Sequence, residues 1–317
     1  MRRLKVYTTS ELKCARACLR QHRYRYVDLR RPHTRSEALR FGTLWHTGLE
    51  VYSTAGIEQA LRELDQRADD VDAFARVVVE ELLVGYAIRW EEDGLTAVSV
   101  EQKFEFELDD VLLGGRLDAV VRDRDGRLHV MEHKTTASDI EAGSLYWERV
   151  RTLDTQVSLY IRGARALGHA VEDCIYDVVR KPTIRPLKAT PEESRKYTKA
   201  TAKEPSRLYA NMRETDETPE EYRLRIRADI AERPDWYYAR GTVVRLEAEE
   251  RAFARDVEQQ VAVLGFAIER SYAPHNPDAC SAFGGCEYLP VCTGAANIND
   301  DTLFRTAVTA HEELAET

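Results

Sequence analysis

Apolar residues recur along this chain with two different periods, and the switches between them mark out its elements. Near the N-terminus, Thr8-Thr9-Ser10-Glu11 has the form of a capping box, with Thr8 as N-cap and Glu11 at the third helical position. The helix that follows carries Cys14, Cys18 and several arginines. Helical spacing predicts further helices over 37–51, 57–68 and 73–92. Over 98–108 the period drops to two. Apolar positions there alternate with Ser99, Glu101, Lys103, Glu105 and Glu107, the pattern of a half-exposed strand. Strands are predicted over 111–122 and 127–133, with the turn-like Asp123-Arg124-Asp125-Gly126 between them. A helix over 153–167 stops at Gly168, and a strand over 174–180 is ended by Pro182. The polar stretch 190–232 reads as helical with breaks at Pro205 and Pro219, an insertion or a lid. A last helix over 251–269 is broken by Pro274-His275-Asn276-Pro277, and a loop rich in cysteine and glycine follows. With its strands gathered between 98 and 180 and helices on either side, the chain reads as α/β, a mixed core with a helical annex. It shows no internal repeat.

Composition narrows this picture. The 317 residues suffice for one large domain or two modest ones, and 43% apolar content supports a core. A net charge of −9 argues against a general polyanion binder. The charge is uneven, however: residues 1–40 hold twelve Lys or Arg against three acids, and 180–213 is also basic. Such patches on an acidic protein can track a phosphate backbone. There is no apolar run of membrane-spanning length and no apolar segment behind the basic N-terminus, so the expected location is the cytoplasm. In that setting the six cysteines point to metal or redox chemistry before disulfides.

Two segments carry the chemistry. Gly114-Gly115-Arg116-Leu117-Asp118 places an aspartate late in one predicted strand, and Val130-Met131-Glu132-His133-Lys134 closes the next. Side chains at i and i+2 of a strand share a face, so Glu132 and Lys134 project together and Asp118 meets them from the paired strand. Two carboxylates hold a hard divalent cation, and a lysine beside them steadies a phosphate or an attacking water. That is the minimum for metal-assisted phosphodiester cleavage. Farther on, Cys280, Cys286 and Cys292 are spaced to wrap one metal centre, with Gly284, Gly285 and Pro290 in the loop. A fourth thiolate must come from elsewhere, from Cys18 or from Cys14 one turn before it; a four-cysteine zinc site is the alternative. Cys174, in an apolar strand, reads as core. Arg20, Arg23, Tyr24 and Arg25, with Tyr26, have the composition that grips a nucleic-acid strand, as do Lys181, Arg185 and Lys188. The competing reading of both sets is a solvated face paired with acids.

The Asp118 … Glu132-x-Lys134 arrangement resembles the PD-(D/E)XK nuclease superfamily. Gly42-Thr43-Leu44-Trp45-His46-Thr47-Gly48-Leu49-Glu50 and Asp154-Thr155-Gln156-Val157-Ser158-Leu159-Tyr160 are similar to the histidine and Gln-x-x-x-Tyr motifs of its RecB-like branch. The resemblance implies a restriction-endonuclease-like core, a central mixed sheet flanked by helices. It implies Mg²⁺ or Mn²⁺ held by His46, Asp118, Glu132 and the backbone carbonyl of His133. Lys134 would act on the water or phosphate, and Gln156 and Tyr160 would orient them from one helix face. Glu101 corresponds to an accessory acid of some relatives. The segments around Cys18 and around Cys280, Cys286 and Cys292 resemble those of iron–sulfur RecB-like nucleases, among them the AddB subunit and the CRISPR-associated exonucleases. This implies a [4Fe–4S] cluster clasping the two termini, although the spacing from Cys280 to Cys286 is wider than in such relatives. The division implied is a single nuclease domain. It comprises a basic segment 1–35 with the cluster cysteine, a catalytic core 36–182, a helical insertion or lid 183–245, and a helix, cluster loop and tail 246–317. The function implied is a DNA exonuclease acting at single-stranded ends in repair, recombination or phage replication, with any helicase or recombination protein a separate partner. A structure-specific endonuclease, a CRISPR spacer-processing nuclease and a non-catalytic DNA-binding assembly protein are the alternatives.

Overall fold

The computed structural model describes residues 5–34, 36–67, 71–199, 205–281 and 285–315; Ala68 and Gly284 lie outside them. Strand β1 (Val6–Thr8) runs straight into α1 (Thr9–Ala17), followed by α2 (Leu19–His22) with a π-helical turn (Arg23–Val27) and β2 (Arg30–Pro32). Helices α3 (Glu37–Ala55), α4 (Ile57–Gln66) and α5 (Ala73–Arg89) precede the long hairpin of β3 (Thr96–Leu108) and β4 (Val111–Arg122). Next come β5 (Leu128–Thr136), α6 (Leu145–Leu153), α7 (Thr155–Ala166) and β6 (Val171–Arg180). After a strap, the chain forms α8 (Pro219–Glu232), α9 (Pro234–Tyr237), β7 (Tyr238–Val244), α10 (Glu247–Glu269), α11 (Leu289–Cys292) and β8 (Phe304–Thr306).

The central sheet runs β1-β4-β5-β6-β7, with β3 paired along β4. It is mixed: β1 is parallel to β4 and β6 to β5, while β3, β5 and β7 are antiparallel to their neighbours β4, β4 and β6. One edge of β4 belongs wholly to β3. The other is shared, with β1 along Leu112, Leu113 and Gly114 and β5 from Ala119 to Arg122. The two partners diverge between Gly114 and Ala119, and the sheet opens there. Alternation along β4 also changes phase at this point, since Leu113 and Leu117 face the main core before it and Val120 after it. Opposite the split, Glu101 of β3 has φ 52°, a left-handed conformation rare for a non-glycine residue and most often retained where function requires it.

Two large cores flank the sheet among the described residues, beside a small cluster of Ala119, Val121 and Met131. The main one packs β4, β5 and β6 against α6, α7 and α10 through Leu117, Val130, Val157, Ile161, Val178 and Leu264. The other is the helical annex, in which α3, α4, α5, α8 and α9 meet through Trp45, Leu64, Leu82, Ile226 and Tyr237. Phe104 fixes the distance of α7 from the sheet. A Cβ added at Gly115 would come within 2.6 Å of its ring, and one at Gly163 within 2.5 Å, so the ring fits only because both are glycines.

Several predicted elements change. The helix expected over 153–167 forms as α7 and begins at Thr155, because Asp154 leaves the helical conformation and its Oδ1 accepts the Gln156 N–H (3.0 Å); the preceding α6 did not stand out by pattern. Among the described residues, which leave out 200–204, the helical reading of 190–232 holds only from Pro219 onward. Before that, apart from a 3₁₀ turn at Glu192–Ser194, the chain is a strap whose limbs are held by Glu217 N–H to Leu187 O (2.9 Å) and Thr190 N–H to Arg213 O (2.8 Å). Nor is 183–245 a purely helical insertion: it contains β7, an edge strand of the central sheet too polar and short to stand out by pattern. The capping box forms by half. Thr8 Oγ1 accepts from Glu11 N–H (3.2 Å), but the Glu11 carboxylate turns inward to Lys5 (2.6 Å) and His22 (2.8 Å). No helix among the described residues is long and apolar enough to cross a membrane.

Candidate active site

The split in the sheet is the floor of a cavity of about 560 Å³ lined by His46, Glu101, Asp118, Lys134, Gln156 and Tyr160, with the first turn of α1 at its rim. His46 comes from α3, Glu101 and Asp118 from facing positions of β3 and β4, Lys134 from β5, and Gln156 and Tyr160 from α7. Residues from before and after the strand cluster therefore meet at one point.

Metal-ligating atoms of His46, Glu101 and Asp118 lie within 4.8 Å of one another, and among the described residues only these three side chains of His, Cys, Asp or Glu come together so closely. His46 Nδ1 is 3.7 Å from Asp118 Oδ1, and burial holds the imidazole below its ordinary value, toward the neutral form that binds cations. Asp118 Oδ2 accepts the backbone N–H of His133 (2.8 Å). Burial works to raise the Asp118 carboxyl, but His46, Lys134 and His133 outweigh it and keep the group ionised. Glu101 is tied to Arg116 (2.6 Å), yet burial, then Asp118 and Glu50, push its carboxyl up to about 7. Acids crowded in this way are stabilised as anions by a cation among them.

Glu132 sits one layer deeper, with no exposed surface. Its Oε1 accepts from Lys134 Nζ and from Gln156 Nε2 (2.8 Å), while its Oε2 is buried without a hydrogen-bond partner. Burial, followed by the Asp118 charge, raises this carboxyl despite Lys134. Burial disfavours the Lys134 charge, but Glu132 and Asp118 outweigh it and hold the ammonium protonated. Gln156 Nε2 also donates to Tyr160 Oη (2.9 Å), and Lys13 Nζ of α1 donates to Gln156 Oε1 (2.7 Å). On the reverse side of β5, His133 Nδ1 is 2.7 Å from Asp177 Oδ2, so its side chain leaves the cavity while its backbone stays.

The other expected residues lie elsewhere. Arg20 Nε donates to Ala273 O (2.6 Å), Arg23 Nη1 to Ser271 O (2.5 Å) and Arg25 Nη1 to Glu287 (2.9 Å), while Tyr24 packs on Tyr288 with ring centroids 5.5 Å apart. With the β2–β8 pair, these contacts bind the N-terminal segment to the C-terminal one through the protein itself. Lys181 Nζ lies 4.2 Å from the centre of the Phe41 ring, and Arg185 is exposed. Cys18, Cys280, Cys286 and Cys292 are half-buried free thiols, as is Cys14, and Cys174 is buried. Burial raises the Cys292 thiol, and Cys18 and Cys280 raise it further, but among the described residues no three cysteine sulfurs come as close together as the ligating atoms of His46, Glu101 and Asp118. Sequence reasoning missed Lys13 and Arg116 altogether. No local pattern ties Lys13, on a helix far upstream, to the site, whereas Arg116 stands two residues before Asp118 on the same face of β4, a signal that the alternation carried.

The sequence pattern of the PD-(D/E)XK nuclease superfamily matches residues 7–293, nearly the whole chain, and the protein belongs to that superfamily. Enzymes of this class use divalent metals, and His46, Glu101 and Asp118 make a fitting acidic site. Among solved structures the chain is similar to a proposed exonuclease from Eubacterium rectale, with 10% identity, 98% of this chain and 94% of that one covered, and a TM-score of 0.49. It is also similar to SSO0001, with 15% identity, coverage of 80% and 84%, and a TM-score of 0.29. No curated protein sequence matches it.

Proposed function

We propose that this protein is a RecB-like, Mg²⁺- or Mn²⁺-dependent deoxyribonuclease that works as an exonuclease on DNA with single-stranded ends, in repair, recombination or phage replication. One observation carries the reading: His46, Glu101 and Asp118 converge beside Lys134 in one cavity. The donor set, an imidazole and carboxylates with the unpartnered Glu132 Oε2 behind them, suits a hard divalent cation. His46, Asp118 and Glu101 would hold the ion, with Glu132 and the His133 carbonyl as the deeper ligands. When bound it supplies an activated water and stabilises charge developing on the phosphate. The protein's own groups do the rest. Lys134, kept protonated, neutralises a phosphate oxygen. Gln156 fixes Glu132, and Tyr160 fixes Gln156. The Asp118 carboxylate is aimed by the His133 N–H. Arg116 restrains Glu101.

We further infer that Cys18, Cys280, Cys286 and Cys292 take a [4Fe–4S] cluster that reinforces the contact between the termini. The support is that these four thiols are free and half-buried and come from the two ends of the chain, with Cys292 feeling Cys18 and Cys280. Protein purified without oxygen should carry iron and visible absorption that Cys286→Ser removes, with a lower melting temperature. Colourless, iron-free protein of unchanged stability would remove the cluster from this account.

End-labelled single-stranded, duplex and circular DNA, each with Mn²⁺, Mg²⁺ or EDTA, tests the main reading. Metal-dependent shortening from ends, with circles spared, is the expected result. Cleavage of circles would make the enzyme an endonuclease. DNA binding without any cutting would leave an assembly protein.

A further inference from the structure

A side-chain amide has two ends of nearly equal shape, a carbonyl that only accepts hydrogen bonds and an NH₂ that only donates them. Gln156, in the first turn of α7, must put each end in the right place. Its Nε2 donates to Glu132 Oε1 (2.8 Å) and to Tyr160 Oη (2.9 Å), and its Oε1 accepts from Lys13 Nζ (2.7 Å). On the inner side the partners do not agree on one orientation. The Glu132 carboxylate selects the NH₂ end, but the Tyr160 hydroxyl pairs with either end. Lys134 donates to the same Glu132 oxygen, so a donor stands beside the place that a turned amide would give its carbonyl. The outer side has no such ambiguity. An ammonium has three donors and no acceptor, so only the carbonyl can face Lys13.

Lys13 is itself held. Its Nζ lies 3.5 Å from Asp154 Oδ1, at the N-cap of α7, and Arg16, one turn on, donates to Thr155 Oγ1 (3.2 Å). Asp154 therefore anchors the ammonium without displacing the closer Gln156 oxygen. The far end of α1 is fixed by the C-terminal segment. Asn276 Nδ2 donates to Ala17 O (2.7 Å), and the Arg20 N–H just beyond donates to Pro274 O (3.2 Å). A helix far upstream in the chain is thus fastened in place, with one donor set against the outer end of an active-site amide.

We propose that Lys13 is a positioning residue: it holds the Gln156 carbonyl outward and so keeps the NH₂ end on Glu132 and Tyr160. The inference rests on the nuclease reading above and deepens it. Its consequence reaches the substrate through Tyr160, which lines the catalytic cavity. With Gln156 donating to Oη, the tyrosine's own hydrogen has no acceptor among the described residues and is left for a phosphate oxygen of the DNA. Turned about, the amide would take that hydrogen and set a carbonyl oxygen against Glu132, so both contacts would fail together. Lys13 stands outside the cavity lining and acts through the amide.

The test is steady-state cutting of an end-labelled single-stranded oligonucleotide in Mn²⁺. Lys13→Met keeps an apolar stem and removes the donor. It should lower kcat about tenfold, the worth of one misdirected hydrogen bond, with KM unchanged. Lys13→Arg, again a donor only, should restore most of that loss. In a Gln156→Ala background, Lys13→Met should cost nothing further, because the residue acts through that amide alone. Gln156→Glu tests the same claim without touching α1. It keeps an oxygen toward Lys13 and sets another against Glu132, so it should lose at least as much as Lys13→Met while circular dichroism stays native. Wild-type kcat in Lys13→Met or in Gln156→Glu would overturn the proposal. So would a loss that persists in the Gln156→Ala background or appears in KM, since Lys13 would then be a DNA contact or a structural residue. No cutting by the wild type defeats the nuclease reading and this inference with it, whereas wild-type cutting that Lys13→Met does not slow defeats only the inference.

Discussion

The two faces of β5 bury charge in opposite ways. On the back face, the Asp177 carboxylate accepts from His133 Nδ1 (2.7 Å), Tyr86 Oη (2.8 Å) and Arg240 Nε (2.6 Å), so both of its oxygens are used. Arg240 continues to Asp93 and to Tyr86 and lies 3.9 Å from the Trp90 ring centre. On the front face, one residue along, Glu132 keeps one oxygen unpartnered and feels the Asp118 charge from beneath the cluster of His46, Glu101 and Asp118. A closed network of buried polar groups rigidifies a fold, whereas a network left open by one atom is unstable unless something else completes it. The strand's alternation therefore separates a structural face from a chemical one, and the His133 backbone links them through its hydrogen bond to Asp118.

The largest expected effect falls on the front face. Lys134→Ala should lower cutting by about 10³-fold or more while circular dichroism stays native. Undiminished cutting would mean the site lies elsewhere. On the back face the loss should be of stability. Asp177→Ala leaves Arg240 and His133 without their anion, at about 3–5 kcal/mol, read as a lower urea midpoint with unchanged slope. Should Asp177→Asn fold like the wild type and yet fail to cut, the division between the faces collapses.

A third carboxylate sharpens the contrast. Glu11 is as buried as Glu132, but His22, His311 and Lys5 surround it and, despite the opposing effect of burial, hold its carboxyl down at about 2 against an ordinary 4.5. With the folded value below the unfolded one, its stabilisation is complete above about pH 4.5 and is lost as pH falls toward 2. It should be on the order of 3 kcal/mol, seen as a drop in stability across that window that Glu11→Gln lacks. A wild-type curve flat over that range would show that these three partners do not hold the carboxylate as drawn. The smallest effect belongs to Tyr160→Phe. It removes one hydrogen bond to Gln156, worth about 1 kcal/mol, and should slow cutting several-fold with little change in KM.

Much of the fold was legible because its elements carry strong periods. The β3–β4 hairpin, α3, α5 and α10 emerge from alternation or helical spacing, and the class of the core follows. The short strands β1, β2 and β8, three residues each, are too brief for any period, and β7 is formed by its place beside β6 more than by its residues. The strap before α8 misled because charge-rich sequence resembles a solvated helix until its prolines are given their full weight. At the site, Asp118, Glu132 and Lys134 followed from strand geometry. Glu101 did not, since its part depends on a left-handed backbone and on the residue across the hairpin.

What the chain determined by itself is the set of chemical groups and their local order: an acid, then an acid and a lysine two residues apart, a histidine on an upstream helix, and three spaced cysteines. Those relations span a few residues and are carried by backbone geometry alone. Only the tertiary structure decided which carboxylates share a cavity, which arginines are spent on holding the termini together, and that α1 brings Lys13 against the first turn of α7. These depend on contacts between residues more than a hundred positions apart, such as Lys13 with Gln156 and Arg20 with Ala273. Such contacts are selected by packing and charge compensation over the whole molecule, and no local pattern encodes them.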